Sequence, residues 1–239
     1  MEHLQRLDWD SELFGYEIGK AELHSNDNTD LETDLADSQK FKLTYVFSDE
    51  EISYRKYKLV DKKISFTRKS GHISEDGTRA HFGIKIEKYN SRVHDSSRVE
   101  QLALVSGVFS RFYLDKNFTS REYEKLYKIW IKKSLESQIS YCTLLALKDN
   151  EVVGFVTIGA RKKNVSEIGL IAVDQTFRGK GVAKSLIINA VGEVYESGDS
   201  YINVSTQEDN TPAMKLYASL GFKPVSKKYI YHIWNDDTI

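Results

Sequence analysis

The sequence predicts an α/β protein in which a mixed central sheet is covered by helices, with a smaller α/β region ahead of it. Three observations carry this expectation. From about residue 96, segments with apolar residues at helical spacing alternate with segments rich in β-branched and aromatic residues, the signature of sheet and helix packed in layers. One strand pattern, residues 167–173, passes through a glycine-rich loop directly into a long helical pattern. A cluster of Gly, Ser and Asp from Ser70 to Thr78 separates these segments from a first part of different texture. The expected division is therefore a small N-terminal domain, 1–85, and a larger domain, 86–239, within a length of 239 residues.

The elements follow in order. Residues 7–16, Leu-Asp-Trp-Asp-Ser-Glu-Leu-Phe-Gly-Tyr, read as an aromatic-rich turn running into a strand at 16–23. A polar loop is expected at 25–29 and a short helix from Asp30. Residues 41–47 alternate as a half-buried strand does, and 54–67, rich in Lys, Tyr, Val and Ile, form one or two strands. Val99, Leu102, Val105, Val108 and Phe109 fall at helical spacing over 96–109. Thr119-Ser120-Arg121-Glu122 is a helix-start signal for 122–136, with Tyr123, Leu126, Tyr127, Trp130 and Ile131 on one face. A hairpin is expected over 141–147 and 152–158 about the turn 148–151. The strand 167–173, a helix over 181–196, a strand at 201–206, a helix over 211–220 and a strand at 228–233 complete the chain.

Composition excludes several classes. The 34 Lys and Arg against 35 Asp and Glu give a net charge of −1, too balanced to draw a nucleic acid or an anionic membrane. The single cysteine, Cys142, precludes an internal disulfide framework and suits a reducing compartment. The first residues carry no basic-then-apolar pattern, and no apolar run approaches the ~20 residues that cross a bilayer. A cytoplasmic protein is expected. The six histidines are scattered and lack thiolate neighbours, so no metal site is expected.

Two stretches carry chemistry. The first is Arg178-Gly179-Lys180-Gly181-Val182-Ala183, placed where a strand ends and a helix begins. Amides at a helix N-terminus point outward with partial positive charge, and glycines let that backbone approach an anion closely. The second is Asn210-Thr-Pro-Ala-Met-Lys-Leu-Tyr217-Ala-Ser-Leu-Gly221, in which Asn210 caps a helix that Gly221 ends. Tyr217 sits among apolar positions, its ring suited to packing and its hydroxyl available at the open end of a sheet.

Together these stretches resemble the GNAT acetyltransferase superfamily over about residues 96–234. The resemblance implies the GNAT fold, with a mixed, splayed sheet, and acetyl-CoA as cosubstrate. It places the coenzyme pyrophosphate on the loop of Arg178, Gly179, Lys180, Gly181, Val182 and Ala183. Backbone groups of Ile171, Ala172 and Val173 would meet the pantetheine arm and thioester carbonyl. Asn210, Ala213, Leu216 and Tyr217 match the family's Asn-x-x-Ala-x-x-Leu-Tyr helix, which makes Tyr217 the general acid toward the departing thiolate. The implied reaction is direct attack of a neutral amine on the thioester. Glu167 and a chain of waters are the two candidates for the base.

A finer resemblance concerns the acceptor. Leu7-Asp-Trp-Asp-Ser-Glu-Leu-Phe-Gly15 and residues 109–118, Phe-Ser-Arg-Phe-Tyr-Leu-Asp-Lys-Asn-Phe, are similar to the TDP-fucosamine acetyltransferases. That similarity implies the 4-amino group of a nucleotide-linked sugar as acceptor, with the N-terminal domain a candidate for contacting it. Arg111 and Tyr113 could then serve the diphosphate and a sugar or base face. Lys56, Lys58, Lys62 and Lys63 read as a solvated strand edge guarded by lysines. The alternatives are a protein N-terminus, a lysine, a polyamine or an aminoglycoside as acceptor, or an acyl-CoA-binding module without turnover. A homodimer is left open.

Overall fold

The computed structural model describes residues 2–23, 38–53, 56–71 and 83–235. The polar loop and short helix expected at 25–30, and most of the junction cluster at 70–78, lie outside them. The elements are β1 (Glu2–Arg6), α1 (Asp8–Phe14), β2 (Ile18–Leu23), β3 (Leu43–Ser48), β4 (Lys58–Lys69) and β5 (Ile84–Lys88). Then come α2 (Ser96–Ser106), α3 (Arg111–Leu114), α4 (Ser120–Leu135), β6 (Cys142–Lys148), β7 (Glu151–Lys162) and β8 (Val165–Val173). A 3-10 turn (Gln175–Phe177), α5 (Val182–Glu196), β9 (Tyr201–Gln207), α6 (Thr211–Ser219) and β10 (Lys223–Trp234) follow.

One ten-stranded mixed sheet runs β1-β2-β3-β10-β4-β9-β8-β7-β6-β5. The expected division at residue 85 therefore falls within a single sheet, because β4 is inserted between β9 and β10 and pairs antiparallel with both. One face packs on α5 and α6 through Ile64, Phe66, Val156, Leu186, Val191 and Val204. The other packs on α2 and α4 through two clusters that meet at Leu170.

Local sequence explains most elements. The α4 cap is the expected one: Thr119 Oγ1 accepts from the Glu122 amide at 3.2 Å, and Glu122 Oε2 accepts from the Thr119 amide at 2.6 Å. The 148–151 hairpin turns through Asp149 and Asn150, both at positive φ (50° and 67°), as a two-residue hairpin loop of matching twist requires.

Three expectations are corrected. Residues 8–14 form the helix α1 rather than a turn, because Ser11 and Leu13 bury against the sheet and Trp9 stacks on Trp130 at 6.4 Å. The strands β1 and β5 had no sequence signal; both are sheet edges, short and charged as edges tend to be. The lysine-rich strand β4 is interior to the sheet, not an edge, and Lys58 is committed to an ion pair with Asp115 at 2.6 Å.

Asp115, fully buried after α3, fastens the joining segment to the sheet. It accepts from His232 Nδ1 at 2.7 Å, Trp234 Nε1 at 2.8 Å and Lys58 Nζ at 2.6 Å. Burial disfavours its charge, yet these donors outweigh burial and hold the carboxyl well below the usual range. Asp115→Ala leaves a buried imidazole and a half-buried indole without their acceptor, and an exposed ammonium without its partner. The expected cost is about 2–4 kcal/mol, chiefly from the two unmet donors, to be read from the midpoint of urea unfolding; a loss below about 1 kcal/mol would contradict this role.

Candidate active site

The sheet opens at its centre. β8 pairs with β9 in parallel only over Val165–Ile168 against Tyr201–Val204. Beyond Ile168, β8 stays with β7 as far as Val173, and β9 stays with β4 as far as Gln207. A bulge causes the parting: Ile158 pairs with Ile168 but Val156 pairs with Ile171, so β8 carries one extra residue, which bends and twists a strand. Thr157 Oγ1 takes the Leu170 amide at 2.8 Å. A Cβ at Gly169 would stand 2.9 Å from that same oxygen, so glycine suits the bulge. Ile171, Ala172 and Val173 thus present a backbone edge with no β9 partner. Glu167 pairs with Gly159 and Asn203 near the apex of the opening, half-buried, one residue before the last paired position.

The glycine loop stands at the C-terminal end of β8. Asp174 caps the 3-10 turn through the Thr176 amide at 2.8 Å, and Arg178 Nε donates to the Val173 carbonyl at 3.2 Å. Gly179 and Gly181 have φ of 73° and 81°, and a Cβ on either would meet nothing within 4 Å. Gly181 is the N-cap of α5 and offers no side chain to its first amides. The loop is therefore an exposed nest of N–H groups, with Lys180 held 5.1 Å above the Phe177 ring and Val182 buried beneath. Ala183 lies in the first turn of α5, partly buried against the core. These features fit a diphosphate.

Asn210 accepts from the Ala213 amide at 3.3 Å and so acts as the cap of α6. That helix carries Tyr217, only 2% exposed, its ring 5.8 Å from both Phe66 and Phe222. Burial raises the phenol's pKa, so Tyr217 keeps its proton at any working pH.

The opposite face of the sheet holds residues that the sequence reading did not single out. Cross-strand partners share a face. His232 pairs with Tyr45, and Ile230, two residues back, pairs with Asp61. Tyr45, His232 and Asp61 thus form a polar row across β3, β10 and β4, reaching Gln207 at the end of β9, which hydrogen-bonds Asp61. Arg111 lies over this row, its guanidinium 4.8 Å from the Tyr45 ring, 4.3 Å from Phe112 and 5.9 Å from Phe47. Tyr113, by contrast, is 55% exposed and packs edge-on against Tyr123, so the two expected acceptor residues point apart. Nothing in the spacing of Asp61 and His232, 171 positions apart, could have announced that they share a face of one sheet.

Their charge states follow from burial. Burial pushes Asp61 up to about 6, against the Arg111 charge and the Gln207 hydrogen bond. Burial likewise pushes His232 down to about 4, with Asp115 opposing. The two shifts act on stability with opposite signs. Between pH 6.5 and 4 the unfolded chain binds the His232 proton more readily, so that group destabilises the fold as pH falls. Between pH 6 and 3.8 the folded chain binds the Asp61 proton more readily, so that group stabilises it as pH falls. Asp61→Asn should therefore lose stability more steeply than wild type between pH 6.5 and 4, by about 2–3 kcal/mol over the window. Parallel stability curves from urea titrations at five pH values would contradict the assignment.

Comparisons with known proteins bear on this geometry. Residues 107–222 match the acetyltransferase (GNAT) family. The spore coat polysaccharide biosynthesis protein SpsD of Bacillus subtilis is 26% identical over 140 residues, which is 59% of this chain and 48% of that protein. The chain thus spans about half the length of that relative. Streptothricin acetyltransferase of Escherichia coli is 31% identical over 141 residues, 58% of this chain and 80% of that enzyme. A GCN5-related N-acetyltransferase from Sphaerobacter thermophilus superposes with a TM-score of 0.56 at 15% identity, covering 93% of this chain and 75% of that one; this likeness speaks to the fold. With a strand pair that parts above a bulge, a glycine nest on one lip and a buried tyrosine behind it, the chain belongs to the GNAT acetyltransferase family.

Proposed function

We propose that the protein transfers the acetyl group of acetyl-CoA to a primary amine, the 4-amino group of a nucleotide-linked amino sugar. The observation that carries this reading is the parting of β8 from β9 beyond Ile168 and Val204, beside a helix N-terminus shaped for a diphosphate. In this reading the pyrophosphate rests on the amides of Gly179 to Ala183, with Arg178 and Lys180 adding positive charge. The pantetheine arm follows the unpaired backbone of Ile171 to Val173. Negative charge developing on the thioester oxygen is met by those amides, and Tyr217 gives its proton to the sulfur.

The sugar acceptor draws support from the relative named for spore coat polysaccharide biosynthesis. Glu167 near the apex of the opening remains a candidate base. A cytoplasmic setting agrees with the single cysteine; among the described residues no helix is long and apolar enough to cross a membrane.

The test is thiol release from acetyl-CoA with TDP-4-amino-4,6-dideoxygalactose, spermidine, an aminoglycoside and a peptide N-terminus offered in turn. Release with the amino sugar alone is expected. Faster release with another amine would overturn the sugar reading, and silence with all four would overturn transfer to these amine classes.

A further inference from the structure

Among the described residues, the buried polar atoms with no hydrogen-bond partner include three around this row, Asp61 Oδ1, Arg111 Nε and His232 Nε2. Asp61 is 8% exposed and His232 is 1% exposed, so these are interior atoms that water reaches poorly. Leaving such a group unmet costs about 1–3 kcal/mol each, and three together in one neighbourhood ask for an explanation.

Their placement supplies one. Asp61 pairs with Ile230 and shares a face of the sheet with His232, two residues further along β10. The Tyr45 ring lies 5.1 Å from the His232 ring, and the Arg111 guanidinium lies 4.8 Å from the Tyr45 ring. Asp61 also reaches Gln207, the last residue of β9 and one lip of the opening. The row therefore leads from the sheet interior to the gap between β8 and β9. Tyr217 packs on Phe66, on the other face of β4, because Asp61 and Phe66 have opposite parity along the strand. An acceptor on the Asp61 side and a departing thiolate on the Tyr217 side would approach the thioester from the two faces of the sheet.

The three atoms also differ in what they want. Asp61 Oδ1 is an acceptor. His232 donates through Nδ1 to Asp115, so its Nε2 is an acceptor in the neutral ring. Arg111 Nε is a donor. An ammonium satisfies the first. A hydroxyl is the group that can accept from Arg111 and donate to His232 at once.

We propose that Asp61, Arg111 and His232 are the receiving site for a vicinal amino alcohol, with the amine on Asp61 Oδ1 and the neighbouring hydroxyl bridging Arg111 Nε and His232 Nε2. The inference rests on the acetyl-transfer reading for the step it serves. Asp61 takes one proton from the ammonium, and the freed lone pair forms the C–N bond to the acetyl carbon. The C–S bond breaks and sulfur takes the Tyr217 proton. The nitrogen's remaining extra proton leaves to solvent, Tyr217 regains its proton from solvent, and Asp61 gives up the proton it took, so one proton is released per turnover. The groups that face Asp61 and tune it are Arg111 of α3, Tyr127 of α4, Lys63 of its own strand, and Gln207 and Asp209 at the end of β9.

The experiment compares two ligands and two proteins. TDP-4-amino-4,6-dideoxygalactose has a hydroxyl beside its amine; its 3-deoxy analogue lacks it. Calorimetric binding of each to wild type and to Asp61→Asn is measured first, then thiol release with acetyl-CoA between pH 5 and 9. Asp61→Asn should weaken binding of the full ligand at least tenfold and lower turnover about a hundredfold, with the acidic limb of the rate profile near pH 6 lost. The 3-deoxy analogue should bind wild type at least tenfold more weakly, a comparison that involves no altered protein. Equal affinity for the two ligands, equal affinity of the two proteins, or no binding to wild type overturns the inference. Tight, Asp61-dependent binding without thiol release would instead overturn the transfer reading while upholding the receiving site.

Discussion

Replacing Tyr217 by phenylalanine is expected to lower turnover about a hundredfold, within the range of one well-placed general acid, and to leave acetyl-CoA affinity within about twofold. The ring contacts with Phe66 and Phe222 survive the change, so the helix that presents the side chain stays in place. What is lost is one proton, kept on the phenol because burial raises its pKa. A thiolate expelled into an apolar pocket without that proton is costly, and the cost falls on the transition state alone. Such a change lowers kcat and kcat/KM together. Steady-state thiol release and calorimetry of acetyl-CoA binding, run on both proteins, separate the cases. Unchanged turnover would remove Tyr217 from the chemistry, and a matching loss of affinity would make it a binding residue.

The second large effect concerns the loop. Arg178→Ala together with Gly181→Trp should weaken acetyl-CoA binding by roughly a hundredfold, about 3 kcal/mol. Two causes combine. Gly181 sits at φ 81°, a left-handed conformation that costs an L-residue about 1–2 kcal/mol, so the nest is distorted. The indole also occupies the open space in front of the first α5 amides, where a Cβ now meets nothing. Removing Arg178 takes away a charge and frees the Val173 carbonyl it holds at 3.2 Å, loosening the adjoining strand edge. The loop is exposed, so the fold should persist, and thermal unfolding serves as the control. Undiminished affinity in a folded double variant would move the pyrophosphate elsewhere.

The sequence made the proposed coenzyme side of the site legible and left the proposed acceptor side hidden. Arg178 to Ala183 and Asn210 to Tyr217 are contiguous, and each is written in local rules: glycines where φ must be positive, Asn at a helix start, a period of 3.6 behind them. The receiving row on the far face draws Asp61 from β4, Arg111 from α3 and His232 from β10. No window of sequence contains two of them. The lysines flanking Asp61 suggested a wet strand edge, and Arg111 suggested a diphosphate contact; packing against Tyr45 and Phe112 gave it another setting.

By itself, then, the sequence determined the helices with strong caps, the hairpin at 148–151 and the glycine loop, because each depends on residues a few positions apart. Tertiary structure alone decided that β4 enters the sheet between β9 and β10, where the first part of the chain and the last complete one another. Strand pairing between distant segments is settled by which apolar faces can be buried together, and local propensity is silent about it. The same pairing sets Asp61 and His232 on one face of the sheet and buries a carboxyl and an imidazole that are ordinarily solvated.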